Sequence, residues 1–310
     1  MLMDISQHKA VLLQEVIEYL VPLSLGRYVD CTLGAGGHAE RILEATLPDG
    51  LLLGLDVDEQ ALCLAQTRLE TYKDRIIIKR ESYTQLGAIL ESIFWQEVDG
   101  ILMDLGVSSM QLDHAERGFS FRQEAELDMR FDTRNTLTAS IIVNQYAEKE
   151  LADLIYHFGE EQRSRHVAHN IVKNRPIRTT LQLAHLVDQV TKSGKPGIHA
   201  ATRTFQALRI AVNRELEAIE ALLPQALQAL RIGGRIVVIS FHSLEDRIVK
   251  QYFQREGKDC LCPPQQPICT CGHKARLKWV TRHVVTASDL ERKNNPRARS
   301  ARLRVVEKVA

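Results

Sequence analysis

Apolar positions follow two rhythms along this chain. Strand-length apolar runs occur at RYVDC (27–31), LLLGLDVD (51–58), RIIIKRES (75–82) and DGILMDLG (99–106). Between them, apolar residues recur at helical spacing over 38–47, 59–72 and 84–94. Runs that are apolar throughout predict strands covered on both faces, and their alternation with helices predicts βαβ units in a parallel sheet. After Ser109 the rhythm stops, and QLDHAERGFSFRQEAELDMRFDTRNT has the look of an irregular loop. Residues 138–232 are almost wholly helical in pattern. The last helix there, starting near Ala200, places Phe205, Leu208, Val212, Leu216, Ile219 and Leu223 on one stripe, with Pro224 expected to kink or divide it. Strand character returns at GGRIVVISF (233–241), followed by a helix over 243–254 and a last strand, ARLRVVEKV (301–309). The pattern predicts an α/β protein: one doubly wound, Rossmann-like sheet built from 1–112 and 215–310, interrupted by an inserted all-helical domain at 113–214.

At 310 residues the chain has ample material for such a core. No apolar run approaches the roughly 20 residues that span a bilayer, and the N-terminal stretch MLMDISQHKA is polar, so no membrane contact and a cytoplasmic location are expected. A formal net charge of +1 conceals segregation. Residues 1–112 carry 8 basic residues against 17 acids, 162–214 carry 10 against one, and 247–310 carry 15 against 5. Such a division predicts an acidic small-ligand module joined to two basic surfaces for a polyanion, nucleic acid above all.

The stretch VDCTLGAGGHAERIL (29–43) holds the first candidate chemistry. Gly34, Gly36 and Ala39 stand at G-x-G-x-x-A spacing between a strand and a helix, with Gly37 adding to the bareness of the loop. Asp56 ends the second strand about 20 residues on, where a carboxylate accepts from the hydroxyls of a ribose. An adenosine-containing cofactor is therefore expected, either NAD(P) or S-adenosylmethionine. Asp30, Asp56 and Asp104 end three of the strands, and so many carboxylates would repel a pyrophosphate. They suit the cationic S-adenosylmethionine.

TLGAGGHA, LMDLGVSSMQLD, ERGFSF, LDMR, ATRTFQALRIAVN, ISFHSLEDRIVK and NPRARSARLR, in that order, resemble the bacterial ribosomal RNA small subunit methyltransferase H family over almost the whole chain. The resemblance implies S-adenosylmethionine-dependent methylation of N4 of a cytidine in 16S rRNA, at the decoding centre of the small ribosomal subunit, with RNA and not DNA as partner. It implies cofactor contacts at Gly36, Gly37, His38, Asp56, Tyr83, Asp104 and Gln111. Two rival functions are an NAD(P)-binding oxidoreductase and a non-catalytic RNA-binding assembly factor that keeps a cofactor pocket.

An exocyclic amine is a poor nucleophile because its lone pair is delocalised into the ring, so catalysis calls for hydrogen-bond acceptors around it. Candidates are Asp104, Asn213, His242 and the hydroxyls of Ser108 and Ser109, with Ser243 expected to cap the following helix and leave His242 facing the site. Arg203, Gln206, Arg209 and Asn213 share the polar face opposite the Phe205 stripe and are expected to touch RNA. Cys31 and Cys63 fit buried apolar thiols. Cys260, Cys262, Cys269 and Cys271 form two C-x-C pairs in CLCPPQQPICTCGH, with His273 as a spare ligand. A zinc site is one reading and a metal-free, proline-braced loop the preferred one, because C-x-C is tighter than the usual zinc knuckle.

Overall fold

The computed structural model describes residues 10–108, 111, 114–191, 199–266 and 268–310. The chain forms two compact units: one runs to Gly106 and resumes at Leu216, the other is Val107–Glu215.

The first unit is built on a seven-stranded sheet of order β3-β2-β1-β4-β5-β7-β6. Its strands are β1 (Arg27–Asp30), β2 (Leu51–Asp56), β3 (Ile76–Arg80), β4 (Val98–Asp104), β5 (Leu230–Ser240), β6 (Leu277–Trp279) and β7 (Arg302–Lys308). Strands β1 to β5 pair in parallel, whereas β7 lies antiparallel to both β5 and β6. Register explains the unbroken apolar runs. Val29 lies beside Leu53 and Ile101, and Ile101 beside Ile236. All four enter one core cluster, while their chain neighbours Tyr28, Leu52, Leu102 and Val237 enter a second. The middle positions of β1, β2, β4 and β5 thus bury alternate side chains in two different cores and must be apolar, whereas edge strand β3 leaves Ile77 exposed and β7 carries Arg302, Arg304, Glu307 and Lys308. Strand β6 escapes the pattern because only three residues form it. Cys31 is buried, but Cys63 is exposed, contrary to expectation.

Helices dominate the second unit: Ala139–Gln145, Glu148–Gly159, Ser164–Lys173, Thr180–Val190 and Thr202–Asn213. Ile142, Leu151, Ile155, Val167, Ile171, Leu183, Val187, Phe205 and Leu208 fill a core of their own. The long helix expected from Ala200 onward is two. Arg214 takes the left-handed conformation (φ 50°) and ends the first, and Glu215–Ala229 begins the second. Phe205, Leu208 and Val212 belong to the core of this unit, Ile219 and Leu223 to that of the first. The apolar stripe continues in phase across the break, so periodicity could not reveal it. Pro224 sits inside the second helix and does not divide it.

Candidate active site

Strand order reverses between β1 and β4, and ligands of open α/β sheets bind at the carboxyl ends of the strands flanking such a reversal. Asp30 ends β1, Asp104 ends β4, and Asp56 ends the adjoining β2. One hydroxyl ties the first two together. Thr32 Oγ1 accepts from the Asp104 N–H at 2.7 Å and lies 3.4 Å from Asp30 Oδ1, which also accepts from the Thr32 N–H at 3.0 Å. Asp56 accepts from Gly34 N–H through Oδ2 (2.8 Å) and from Asp58 N–H through Oδ1 (2.9 Å). Asp58 caps the next helix, Glu59–Arg68. Asp56 therefore ties the glycine loop to that helix, and each of its oxygens keeps a lone pair for a ligand.

The glycines have separate causes. Gly34 and Gly36 adopt positive φ (52° and 81°), which side-chain-bearing residues rarely do. A Cβ on Gly36 would also stand 3.0 Å from Leu69 Cδ1, and one on Gly37 would meet Ala10 Cβ and an Arg68 nitrogen, each at 3.2 Å. Protein neighbours thus account for the bareness of Gly36 and Gly37. At Gly34 the nearest atom to an added Cβ is Thr32 O at 3.8 Å, so only there is the space beside the backbone open. The helix Gly37–Ala45 starts with no side-chain cap.

His38 is buried in the first turn of this helix, with Nε2 2.9 Å from the Val11 carbonyl oxygen. A carbonyl only accepts, so Nε2 carries the proton, and Nδ1 lies 3.7 Å from Asp104 Oδ2. The Val11 carbonyl thus fixes the ring beside the Asp104 carboxylate. Burial pushes the Asp30 and Asp56 carboxyls up to about 6. It raises Asp104 as well, against the opposing pull of His38 and Arg297. Asp30 Oδ2 and Asp104 Oδ1 are buried and find no partner among the described residues. Buried acceptors without donors are costly in a protein at rest. The site therefore has acceptor capacity to spare, which matches the ammonium, ribose hydroxyls and adenine amine of S-adenosylmethionine.

Other expected residues fare unequally. Tyr83 follows β3 and is half-buried against the core cluster that contains Val29. Gln111 is buried, its Oε1 accepting from Ser108 N–H at 3.0 Å and its own N–H donating to Ser108 Oγ at 3.2 Å. This reciprocal pair occupies Ser108; Ser109 lies outside the described residues. Asn213 is engaged by the backbone. Its Oδ1 accepts from Phe131 N–H (2.7 Å) and its Nδ2 donates to the Met129 and Arg209 carbonyls (2.8 and 2.9 Å). The amide braces the 129–131 backbone. His242 requires a correction. It, rather than Ser243, is the N-cap of the helix Ser243–Glu256, with Nδ1 facing the Glu245 N–H and Nε2 3.0 Å from Glu245 Oε1. Glu245 in turn accepts from the Phe241 and His242 N–H groups. His242 is oriented by its own capping box, not left free. Thr32, Glu245 and Arg297 were passed over in the sequence; all three stand within motifs quoted above, but nothing in their spacing distinguishes them.

Part of the basic charge is spent internally. Arg302 and Arg304 both pair with Asp246, and Arg255 and Arg276 with Glu256. Arg203 pairs with Glu161, Arg209 with Glu215, and Gln206 donates to the Phe158 carbonyl. Arg175 donates to the Val143 and Tyr146 carbonyls, and burial lowers its pKa. Arg165, Lys173 and Arg178 remain exposed; Lys192 and Lys195 lie outside the described residues.

A mixed sheet of this order, parallel from β1 to β5 and with acceptor-rich strand ends at its reversal point, defines a Rossmann-like methyltransferase whose cofactor is S-adenosylmethionine. The chain belongs to the MraW methylase family, whose family model matches residues 5–309. That membership removes the oxidoreductase alternative. The chain is 50% identical over 302 residues to a ribosomal RNA small subunit methyltransferase H of Dehalococcoides mccartyi, covering 97% of this chain and 86% of that one. The protein of the same name from Thermomicrobium roseum is 49% identical over 306 residues, covering 98% and 94%. A solved rRNA methylase from Streptococcus thermophilus overlaps 96% of this chain and 94% of its own at a TM-score of 0.41 and 11% identity, too distant a likeness to build on. No helix among the described residues is long and apolar enough to cross a membrane.

Proposed function

We propose that this methylase transfers a methyl group to the N4 amine of a cytidine in 16S rRNA, at the decoding centre of the small ribosomal subunit, and so works in the cytoplasm. The names of its relatives support rRNA as the substrate, and the seven motifs it shares with that family support the cytidine amine. The observation that carries the chemistry is Asp104: a carboxylate at the reversal point with one buried oxygen lacking a partner among the described residues. Bound S-adenosylmethionine supplies an electrophilic methyl group on a sulfonium. Asp56 holds the ribose hydroxyls, Tyr83 lies against the adenine ring, and Gly36, Gly37, His38 and Gln111 shape the rest of the cofactor site. Asp104 Oδ1 accepts from the amine, which opposes delocalisation of its lone pair and stabilises the charge that develops on nitrogen. With the cofactor held there, the amine nitrogen would be presented to its methyl group beside Asp104, and the proton released from the amine would pass to solvent. His38 acts on Asp104, its ring fixed by the Val11 carbonyl. The exposed Arg165, Lys173 and Arg178 present positive charge to RNA phosphates.

Mass spectrometry of small-subunit rRNA nucleosides from a deletion strain tests this proposal. N4-methylcytidine should vanish at one position and return with the intact gene, but not with Asp104→Asn. A modification that persists in the deletion strain would leave the assembly-factor alternative standing.

A further inference from the structure

The loop between the helix Ser243–Glu256 and β6 has no visible means of support from apolar burial. From Lys258 to Ile268 and on to Arg276, its described residues are exposed or at most partly buried, with Leu261 and Ile268 among the exposed apolar side chains. Its base is closed by Arg276 N–H donating to the Glu256 carbonyl at 2.8 Å and by the Arg276–Glu256 ion pair. Within a loop of this kind, order requires a staple.

The four cysteines supply one. Their Sγ atoms all lie within 4.8 Å of one another. Cys260 stands 3.4 Å from Cys269, Cys269 3.6 Å from Cys271, and Cys271 3.8 Å from Cys260. Zinc–thiolate bonds of about 2.3 Å in a tetrahedron put neighbouring sulfurs about 3.8 Å apart, so these separations are those of a cage of four thiolates. Backbone N–H groups point at the sulfurs: Leu261 and His273 donate to Cys271 (3.3 and 3.5 Å), Cys262 to Cys260 (3.4 Å) and Thr270 to Cys262 (3.5 Å). Such donors stabilise thiolate charge and orient metal-bound sulfur. The tightness of C-x-C is no obstacle, because each pair turns within three residues and the two turns face each other. His273 is not a ligand: its Nε2 lies 3.2 Å from the Arg255 carbonyl and fastens the loop to the end of the helix.

We propose that Cys260, Cys262, Cys269 and Cys271 bind one structural zinc ion, which pins this loop against the outer end of the sheet, apart from methyl transfer. Each thiol releases its proton to solvent as it binds, with no change of oxidation state. Tetrahedral all-sulfur ligation favours zinc over harder divalent ions.

The full chain, purified in reducing buffer without chelator, should carry one zinc per chain by elemental analysis. A Cys269→Ser/Cys271→Ser double variant should carry less than a tenth of that while keeping its affinity for S-adenosylmethionine. Refilling metal-depleted wild-type chain with cobalt should produce thiolate-to-metal charge-transfer absorption, and added zinc should protect four thiols from a disulfide reagent. Wild-type protein with these four thiols reactive and no zinc, with disulfides among them, or with iron in place of zinc overturns the proposal, as does zinc retained at full stoichiometry by the double variant. Because the wild-type measurements stand alone, a variant that fails to fold does not shield it.

Discussion

Asp56 offers the sharpest test of how the cofactor site works. Its carboxylate already accepts two backbone N–H bonds, at 2.8 and 2.9 Å, and its pKa is pushed up to about 6 by burial. Asp56→Ala removes the acceptor for the ribose hydroxyls. Charge-assisted bonds contribute about 1.5–3 kcal/mol each, so losing one weakens S-adenosylmethionine binding roughly ten- to 150-fold. The same change strands the Gly34 and Asp58 N–H groups, so the melting midpoint should also fall. Asp56→Asn separates charge from shape. The ionised carboxylate is the better acceptor and predominates above its pKa. Affinity in the wild-type chain should therefore be strongest near neutral pH and weaken as pH drops through about 6. At pH 5, one unit below, about ten carboxyls are protonated for each ionised one, and binding should weaken about tenfold. The Asn variant, weaker at pH 7, should lose most of this dependence. Titration calorimetry at pH 7, 6 and 5 on the three proteins gives the answer. Unchanged affinity in Asp56→Ala refutes the ribose contact, and a pH response undiminished in Asp56→Asn assigns it to another carboxyl, Asp30 first.

Asn213→Ala should lower the denaturant midpoint by the equivalent of about 2–4 kcal/mol, since three hydrogen bonds contribute roughly 1 kcal/mol each and their backbone partners are left wanting. If activity is lost at an unchanged midpoint, Asn213 returns to the reaction as an acceptor. Replacing Arg165, Lys173 and Arg178 together by Glu should weaken RNA binding and flatten its salt dependence, with cofactor affinity preserved; filter binding over a range of salt concentrations measures both, and an unaltered slope removes this surface from the RNA contact. Arg175→Glu alone should instead reduce stability, because the guanidinium holds the Val143 and Tyr146 carbonyls; a variant with normal thermal melting would contradict that bracing role.

Much of this protein is legible from local pattern. A strand buried on both faces must be apolar in its middle, so β1, β2, β4 and β5 announce themselves as runs, and the helices between the strands fix a parallel sheet. Direction then follows, and with it the placing of Asp30, Asp56 and Asp104 at one edge, because parallel strands all end on the same side. What a polar side chain does at that edge is not local. Asn213 is spent on Phe131, 82 positions away in the chain, and Asp56 on Gly34, 22 away. Charge misleads for the same reason: Arg302 and Arg304 count toward a basic tail but are answered by Asp246, more than fifty residues earlier. The break at Arg214 leaves the apolar stripe in phase, so periodicity passes over it. Spacing shows that the cysteines come in pairs, whereas the meeting of the two pairs is a property of the folded loop. Sequence pattern reports what each segment must bury; only the tertiary structure decides which partners the buried polar groups find, because hydrogen bonds and ligation depend on atoms within a few ångströms, whatever their separation along the chain.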